Sequence, residues 1–237
     1  MQLWLCPLIA FLLGSIPFGL LIAKAKGINI REHGSGNIGA TNVLRVVGKK
    51  YGITCLLLDA LKGFIPVLIA INVIRISSHS PLMTFDFPEG WILHIPAAEA
   101  LKGQIAHILT ALAAVLGHNY SPWVGFRGGK GIATSAGVFL ALMPAGLGVL
   151  IIVFLIVFIT TRYVSLASIV AAAALPMVTL WGSWHHGRIQ DGTWNKPLFV
   201  FTVVIGLLAI WKHRSNIQRL REGTENRFTR KAKSTHV

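Results

Sequence analysis

The sequence predicts an all-α integral membrane protein with seven transmembrane helices, its N-terminus outside and its C-terminus cytoplasmic. Three observations carry that reading. Apolar residues make up 54% of the 237 and charged residues only 13%, with a mean hydropathy of +0.65, whereas soluble domains carry roughly 25% charged residues. Lys and Arg outnumber Asp and Glu by 22 to 8. These cations cluster beside the apolar stretches, which points to membrane topology and anionic lipid rather than to nucleic acid.

The first span is expected over 3–23, broken only by Gly14, Ser15, Pro17 and Gly19 and followed directly by Lys24 and Lys26. A cleaved signal peptide has the opposite polarity, so a retained helix that leaves residues 24–52 in the cytoplasm is expected. The second span, 53–75, holds Asp59 and Lys62; their i,i+3 spacing lets them pair, in a structural or a functional role alike. Residues 76–103 then read as an external loop, and 104–118 as a short third span. The next apolar stretch, 132–160, exceeds the ~20 residues of one comfortable span, and Pro144 and Gly146 sit where a tight turn belongs.

Parity decides between one helix and two. Two helices, 130–144 and 146–160, followed by 164–181 and 197–212, keep most of the cations inside. These are six between Lys24 and Lys50, then Arg127, Lys130 and Arg162, and eight from Lys212 to Lys233. A single helix would send the basic tail 213–237 outside, against the positive-inside rule. Trp181, Trp184 and Trp194 then form an external aromatic belt. One polytopic domain over 1–237 is expected, with no internal repeat. Cys6 and Cys55 lie in apolar segments, which argues against a disulfide framework or a metal site. Neither cofactor nor metal is expected.

This topology brings three polar segments to the cytoplasmic face. The first is His33-Gly34-Ser35-Gly36-Asn37-Ile38-Gly39-Ala40-Thr41-Asn42, followed by Arg45. Glycines free of Cβ let amide groups converge on one point, and hydroxyls and a cation complete a site for an oxyanion. The alternative is a polar loop whose Ser35 or Thr41 caps a helix. Gly34, Gly36 and Gly39 also match G-x-G-x-x-G, but the flanks are membrane helices rather than a βαβ unit, so a dinucleotide site is rejected.

The second segment ends in Gly128-Gly129-Lys130-Gly131. It is not a Walker loop, since the glycine spacing is wrong and Gly131 replaces the hydroxyl residue. A phosphate contact by Lys130 competes with a lysine that merely snorkels to the interface. The third segment places His213 and Asn216 on one helix face as the last span ends. A basic stop-transfer tail accounts for its arginines, but not for His213, Asn216 or Glu225.

Together, Gly34–Asn42 with Arg45, Gly-Phe-Arg-Gly-Gly-Lys-Gly over 125–131, and His213-x-x-Asn216-Ile-x-Arg-Leu-x-x-Gly-Thr-Glu225 resemble the bacterial acyl-phosphate:glycerol-3-phosphate acyltransferase family (the PlsY type). Asp59-Ala-Leu-Lys62-Gly63 and Tyr163-Val-Ser165-Leu add to the likeness, which runs through nearly the whole chain. The resemblance implies an enzyme of a bacterial cytoplasmic (inner) membrane, with its active site on the cytoplasmic face. It would transfer a fatty acyl group from acyl phosphate to the sn-1 hydroxyl of glycerol 3-phosphate. The products are lysophosphatidic acid and phosphate, in the first step of phospholipid synthesis. Its partners would be the two substrates and membrane lipid, with no nucleic acid, in a monomer.

On that reading, catalytic roles are expected for Ser35, Arg45, Lys130, His213 and Asn216. Substrate contacts are expected for Gly34, Gly36, Asn37, Gly39, Thr41, Asn42, Gly128, Gly129, Ser165 and Glu225. The amides of Gly34–Thr41, with Ser35, Asn37 and Thr41, would hold the acyl phosphate. Arg45 and Lys130 would bind phosphate. His213 and Asn216, with Ser165, would orient glycerol 3-phosphate, and Glu225 would hold an arginine or the substrate hydroxyls. No obvious general base is visible, which leaves the substrate's own phosphate as an alternative proton acceptor. The rival class, an anion transporter or lipid-binding protein with a basic vestibule, is weaker, because a transporter should carry polar residues at mid-membrane and often paired repeats, and this chain has only Asp59 and Lys62 there and no repeat.

Overall fold

A computed structural model describes residues 2–77 and 83–228; the expected tail residues 229–237 lie outside them. The apolar runs fold as helices because a backbone out of reach of water must satisfy its own hydrogen bonds. In chain order the helices are α1 (Gln2–Ser15), α2 (Phe18–Lys24), α3 (Ala40–Val46), α4 (Lys49–Val73), α5 (Ala100–Asn119), α6 (Ile132–Leu142), α7 (Pro144–Thr161), α8 (Val164–His185), α9 (Lys196–Lys212) and α10 (Arg214–Arg221). Two short strands, β1 (Ile74–Ile76) and β2 (Leu93–Ile95), pair in parallel with Ile74 opposite Leu93. The described residues are otherwise helical or loop, so the all-α expectation gains a small strand pair, β1 at the end of the expected second span and β2 within the loop expected over 76–103.

Among the described residues, five helices or helix pairs are long and apolar enough to cross a membrane by themselves, and a sixth crossing appears if α9 and α10, bent by 54°, count as one. The expected span at 130–144 becomes α6, with eleven residues. At 1.5 Å per residue it covers ~16 Å, about half of a ~30 Å hydrocarbon core. Conversely, the expected third span at 104–118 is a longer helix, Ala100–Asn119.

The first span breaks at Ile16–Pro17, where proline offers no N–H and its ring excludes the preceding turn. The carbonyls freed there are taken up by neighbours. Ser121 Oγ donates to Ser15 O at 2.6 Å and Lys62 Nζ to Ile16 O at 2.7 Å. The expected pair also forms, with Lys62 Nζ 2.7 Å from Asp59 Oδ1, and the ammonium lies 5.5 Å from the Phe18 ring. A charge inside a span is tolerated when it has such partners.

Small residues set the helix spacing, since membrane helices associate through close backbone contact rather than through a hydrophobic drive. A Cβ at Gly14 would overlap Ala114 O on α5, and one at Gly63 or Gly137 would overlap backbone across the α4–α6 contact. The core of Val67, Ile71, Ala114, Val138, Phe139 and Ile205 forms around these seams. Helix α7 instead turns Ile151, Ile152, Ile156 and Ile159 outward. Gly137→Val, whose side chain would meet Ala60 O, is expected to destabilise the bundle by about 1–3 kcal/mol, read as a lower Tm in detergent. Gly148→Ala, with open space around it, is expected to leave Tm unchanged.

Candidate active site

The loop before α3 is organised by one buried side chain. Asn42, only 2% exposed, accepts the Ser35 N–H at 2.9 Å and donates toward Ile30 O, His33 O and Asn37 O at 3.3, 3.0 and 2.9 Å. Gly34 and Gly36 adopt φ of +62° and +67°, a region open to glycine, and a Cβ at Gly34 would overlap the Asn42 carboxamide. The amides expected to face an anion are partly engaged inside the loop. The Ser35 N–H goes to Asn42, the Gly36 N–H to His33 O at 3.1 Å, and the Gly39 N–H to Asn37 Oδ1 at 2.8 Å. Gly34, Gly36 and Asn42 therefore shape the loop rather than forming an amide nest, while the loop presents Ser35, Asn37, Thr41 and Arg45 to a cavity.

The second segment follows the same principle. The Gly128 and Gly129 N–H groups donate to Asn119 O and His118 O, each at 3.2 Å, and a Cβ on either would overlap His118. These two glycines let the chain lie against the end of α5; they do not line the cavity, contrary to expectation. Lys130, the next residue, does line it, and its Nζ donates to Asn216 Oδ1. The first two loops are joined where Arg31 Nη2 donates to Arg127 O at 2.8 Å.

In the third segment Glu225 is the anchor. Its Oε1 accepts from Asn216 Nδ2 at 2.7 Å and from Ser165 Oγ at 2.8 Å, and its Oε2 from Arg219 Nε at 2.8 Å. Burial opposes the Glu225 charge, but the hydrogen bonds from Asn216, Ser165 and Arg219 outweigh it and hold the carboxyl below its ordinary value. Burial pushes the Lys130 ammonium down to about 8 despite the attraction of Glu225. His213, just past α9, is lowered to about 4 by burial and by the charge on Lys130. The His213 Nδ1 lies 2.8 Å from Ala209 O. A carbonyl only accepts, so Nδ1 carries the proton and the neutral ring keeps its lone pair on Nε2.

The cavity, about 440 Å³, gathers Ser35, Asn37, Gly39, Thr41, Asn42, Arg45, Lys130, Ser165, His213, Asn216 and Glu225 at its polar end. The remaining lining is largely apolar, with a wall built from Ile53 and Leu56 of α4, Ile132 of α6, Phe154 and Phe158 of α7, and Val164 of α8. The wall carries residues that sequence reasoning missed. Phe154, Phe158 and Phe228 lay in stretches whose composition gave no sign of a site. Asp59 and His118 lie at the floor, with His118 Nδ1 3.7 Å from Asp59 Oδ1, and both are buried. Arg219 binds Glu225, the arginine partner that the sequence reading allows for that carboxylate.

A half-buried cationic cluster sharing one cavity with an apolar wall, in a helical membrane protein, is the arrangement that an anionic group joined to a hydrocarbon chain requires. Comparison with known proteins specifies it further. A family model described as glycerol-3-phosphate acyltransferase matches residues 4–223. The chain is 43% identical to a glycerol-3-phosphate acyltransferase of Geobacter sulfurreducens, over 93% of this chain and 94% of that one. It is also 43% identical to one of Aquifex aeolicus, over 92% and 95%. Its structure matches PlsY (YgiH), an integral membrane glycerol 3-phosphate acyltransferase solved in its glycerol 3-phosphate form. That match has a TM-score of 0.76 and 39% identity, covering 97% of this chain and 96% of the other. The lysophosphatidic acid form of the same protein matches with a TM-score of 0.74. The chain belongs to the glycerol-3-phosphate acyltransferase family.

Because Asn42 bridges four backbone groups, Asn42→Ala leaves buried polar groups without partners, at a cost of about 1–3 kcal/mol. A lower Tm and faster amide exchange over residues 33–37 are expected, with the α8–α9 helices unaffected.

Proposed function

We infer that this protein transfers a fatty acyl group from an acyl phosphate to the sn-1 hydroxyl of glycerol 3-phosphate, releasing lysophosphatidic acid and inorganic phosphate. Family membership supports the activity, and one observation carries the mechanism: a single cavity joins Arg45 and the Lys130–Asn216–Glu225 chain to the apolar wall of Ile53, Leu56, Phe154 and Phe158. Both substrates carry phosphate, and one also carries a hydrocarbon chain, so a cationic end and an apolar wall are both required.

The leaving group is already an activated phosphate, so the protein needs no nucleophile of its own; its work is positioning and charge stabilisation. The substrate hydroxyl oxygen bonds to the carbonyl carbon, the carbon–oxygen bond to phosphate breaks, and phosphate departs with the electron pair. Arg45 grips one phosphate as a planar fork and Lys130 neutralises charge as a point cation, with Ser35, Asn37 and Thr41 donating beside them. The lone pair on His213 Nε2 accepts from the attacking hydroxyl and orients it. Held down to about 4, His213 is a weak base, which makes the substrate phosphate the better proton acceptor. Asn216 and Ser165, tied to Glu225, keep that end of the site in register.

The surrounding topology is proposed to have seven crossing segments, α6 being the short one, with the N-terminus outside and the C-terminus cytoplasmic. The site then faces the cytoplasm of a bacterial inner membrane, and a monomer carries the complete cavity. The distribution of cations described above supports that orientation.

Purified protein given palmitoyl phosphate and glycerol 3-phosphate is expected to release phosphate and form ester only when both are present. Lys130→Ala and Ser35→Ala are expected to lower kcat/KM, the lysine change by on the order of 10²–10³-fold; unaltered turnover in a folded Lys130→Ala variant would refute this site. Arg45→Lys is expected to retain the charge but lose most of the activity, because the bidentate geometry goes with the guanidinium. With the Lys130 ammonium at about 8, its cation is present below that pH and lost above it. Accordingly kcat/KM falls as pH rises through that value, and Lys130→Arg abolishes the fall. Narrowing the wall with Leu56→Trp is expected to reduce use of long-chain acyl phosphates more than that of short ones.

A further inference from the structure

Beyond α10 the chain turns back over the cavity. Gly223, at φ +71°, takes the left-handed turn that ends the helix, and the Thr224 N–H reaches Arg219 O at 2.8 Å. The strap that follows is tied along its length. Glu225 accepts its three hydrogen bonds, Asn226 O accepts from Arg45 Nη2 at 3.1 Å, and the Arg227 guanidinium lies 5.9 Å from the Tyr163 ring. The Phe228 N–H donates to Arg162 O at 3.0 Å. This strap lies beyond the residues, 4–223, that the family model matches.

Phe228 lines the cavity at the boundary of its two ends. On the polar side the Arg45 guanidinium stands 5.1 Å from the ring centroid. On the apolar side the Phe158 ring meets it edge-on, at 5.7 Å and 81°. In an acyl phosphate the carbonyl carbon is the atom that joins phosphate to chain. With the phosphate at Arg45 and the chain along Phe158, that carbon falls where Phe228 touches both sides.

A mixed anhydride placed there has a competitor for the acyl group. Water is small, abundant and able to attack the same carbon. In that case its oxygen bonds to the carbonyl carbon, the bond to phosphate breaks, and the products are fatty acid, phosphate and a proton released to solvent. Excluding water from the reacting centre is a recognised task of a closed site. We propose that Phe228 is a specificity-determining residue, whose ring keeps water off the scissile carbonyl so that the acyl group passes to glycerol 3-phosphate. The proposal rests on the acyl-phosphate reading above. It adds a separate role for a residue that carries no polar side-chain group.

The test is the partition of palmitoyl phosphate between ester and free fatty acid, corrected for spontaneous hydrolysis without protein. It is measured with and without glycerol 3-phosphate for Phe228→Trp, Phe228→Leu, Phe228→Val and Phe228→Ala. All four variants keep the backbone N–H that binds Arg162. The ratio of fatty acid to ester is expected to rise as the side chain shrinks, by about tenfold from wild type to Phe228→Ala, since the cover over the carbonyl thins. Hydrolysis in the absence of glycerol 3-phosphate rises in parallel, and Phe228→Trp stays close to wild type. A ratio that remains flat across the series overturns the proposal, whatever the overall rates, because a merely structural role would slow both outcomes together. Wild-type protein that forms no ester at all would instead refute the acyl-phosphate reading itself.

Discussion

The polar end of the molecule depends on holding the Lys130 ammonium away from bulk water while keeping it ionisable. Burial disfavours that charge, and the surrounding structure counters the penalty through a relay: Lys130 to the Asn216 oxygen, Asn216 nitrogen to Glu225, and Glu225 to Ser165 and Arg219. The relay fixes four otherwise separate elements with one carboxylate, namely the loop before α6, the start of α8, helix α10 and the strap after it. A cation held this way is both positioned and partly desolvated, and on the proposed reading an incoming phosphate would meet a fixed positive centre. The same carboxylate that lowers the cost of the buried cations also brings Asn226 to Arg45, so binding chemistry and chain closure share one anchor.

A second constraint is spatial. Three loops must approach within hydrogen-bonding distance of one another above a packed bundle, and glycine makes that possible. Gly34 clears Asn42, while Gly128 and Gly129 lie on the end of α5 beside His118. Below them, the broken first span exposes carbonyls that Ser121 and Lys62 take up, and Lys62 in turn is held by Asp59. The charged pair in α4 thereby links the membrane interior to the floor of the cavity, where Asp59 and His118 lie.

Much of this was legible in the sequence, and the parts that were not share a cause. Ser35, Arg45, Lys130, Ser165, His213, Asn216 and Glu225 stood out because polar side chains amid apolar spans need a reason, and the structure brings all of them into one cavity. The glycines stood out equally, yet a glycine signals only that a Cβ is forbidden, not whether the obstacle is a ligand or the protein's own backbone. For Gly128 and Gly129 it is backbone and the His118 ring. Asn42 was legible as important but not as the loop's internal staple, because a carboxamide has the same donors and acceptors whichever way it faces. Phe154 and Phe158 were invisible, since an aromatic ring in an apolar run is indistinguishable from one that faces lipid, and Phe228 was invisible because nothing in a basic tail signals that one ring folds back on the bundle.

The sequence by itself determined that the chain is a helical membrane protein, which polar segments have the composition of an anion site, and which ionisable side chains are candidates for that chemistry. Those properties follow from composition and local spacing, which hydrophobicity and charge express directly. Only the tertiary structure decided that α6 is a short helix packed on α4, that the loop amides are largely engaged within their own loop, and that the strap after α10 returns over the cavity. Each of these depends on contacts between residues distant in the chain, from Arg45 with Asn226 to Lys130 with Asn216, and local pattern carries no record of which distant group will be there to meet them.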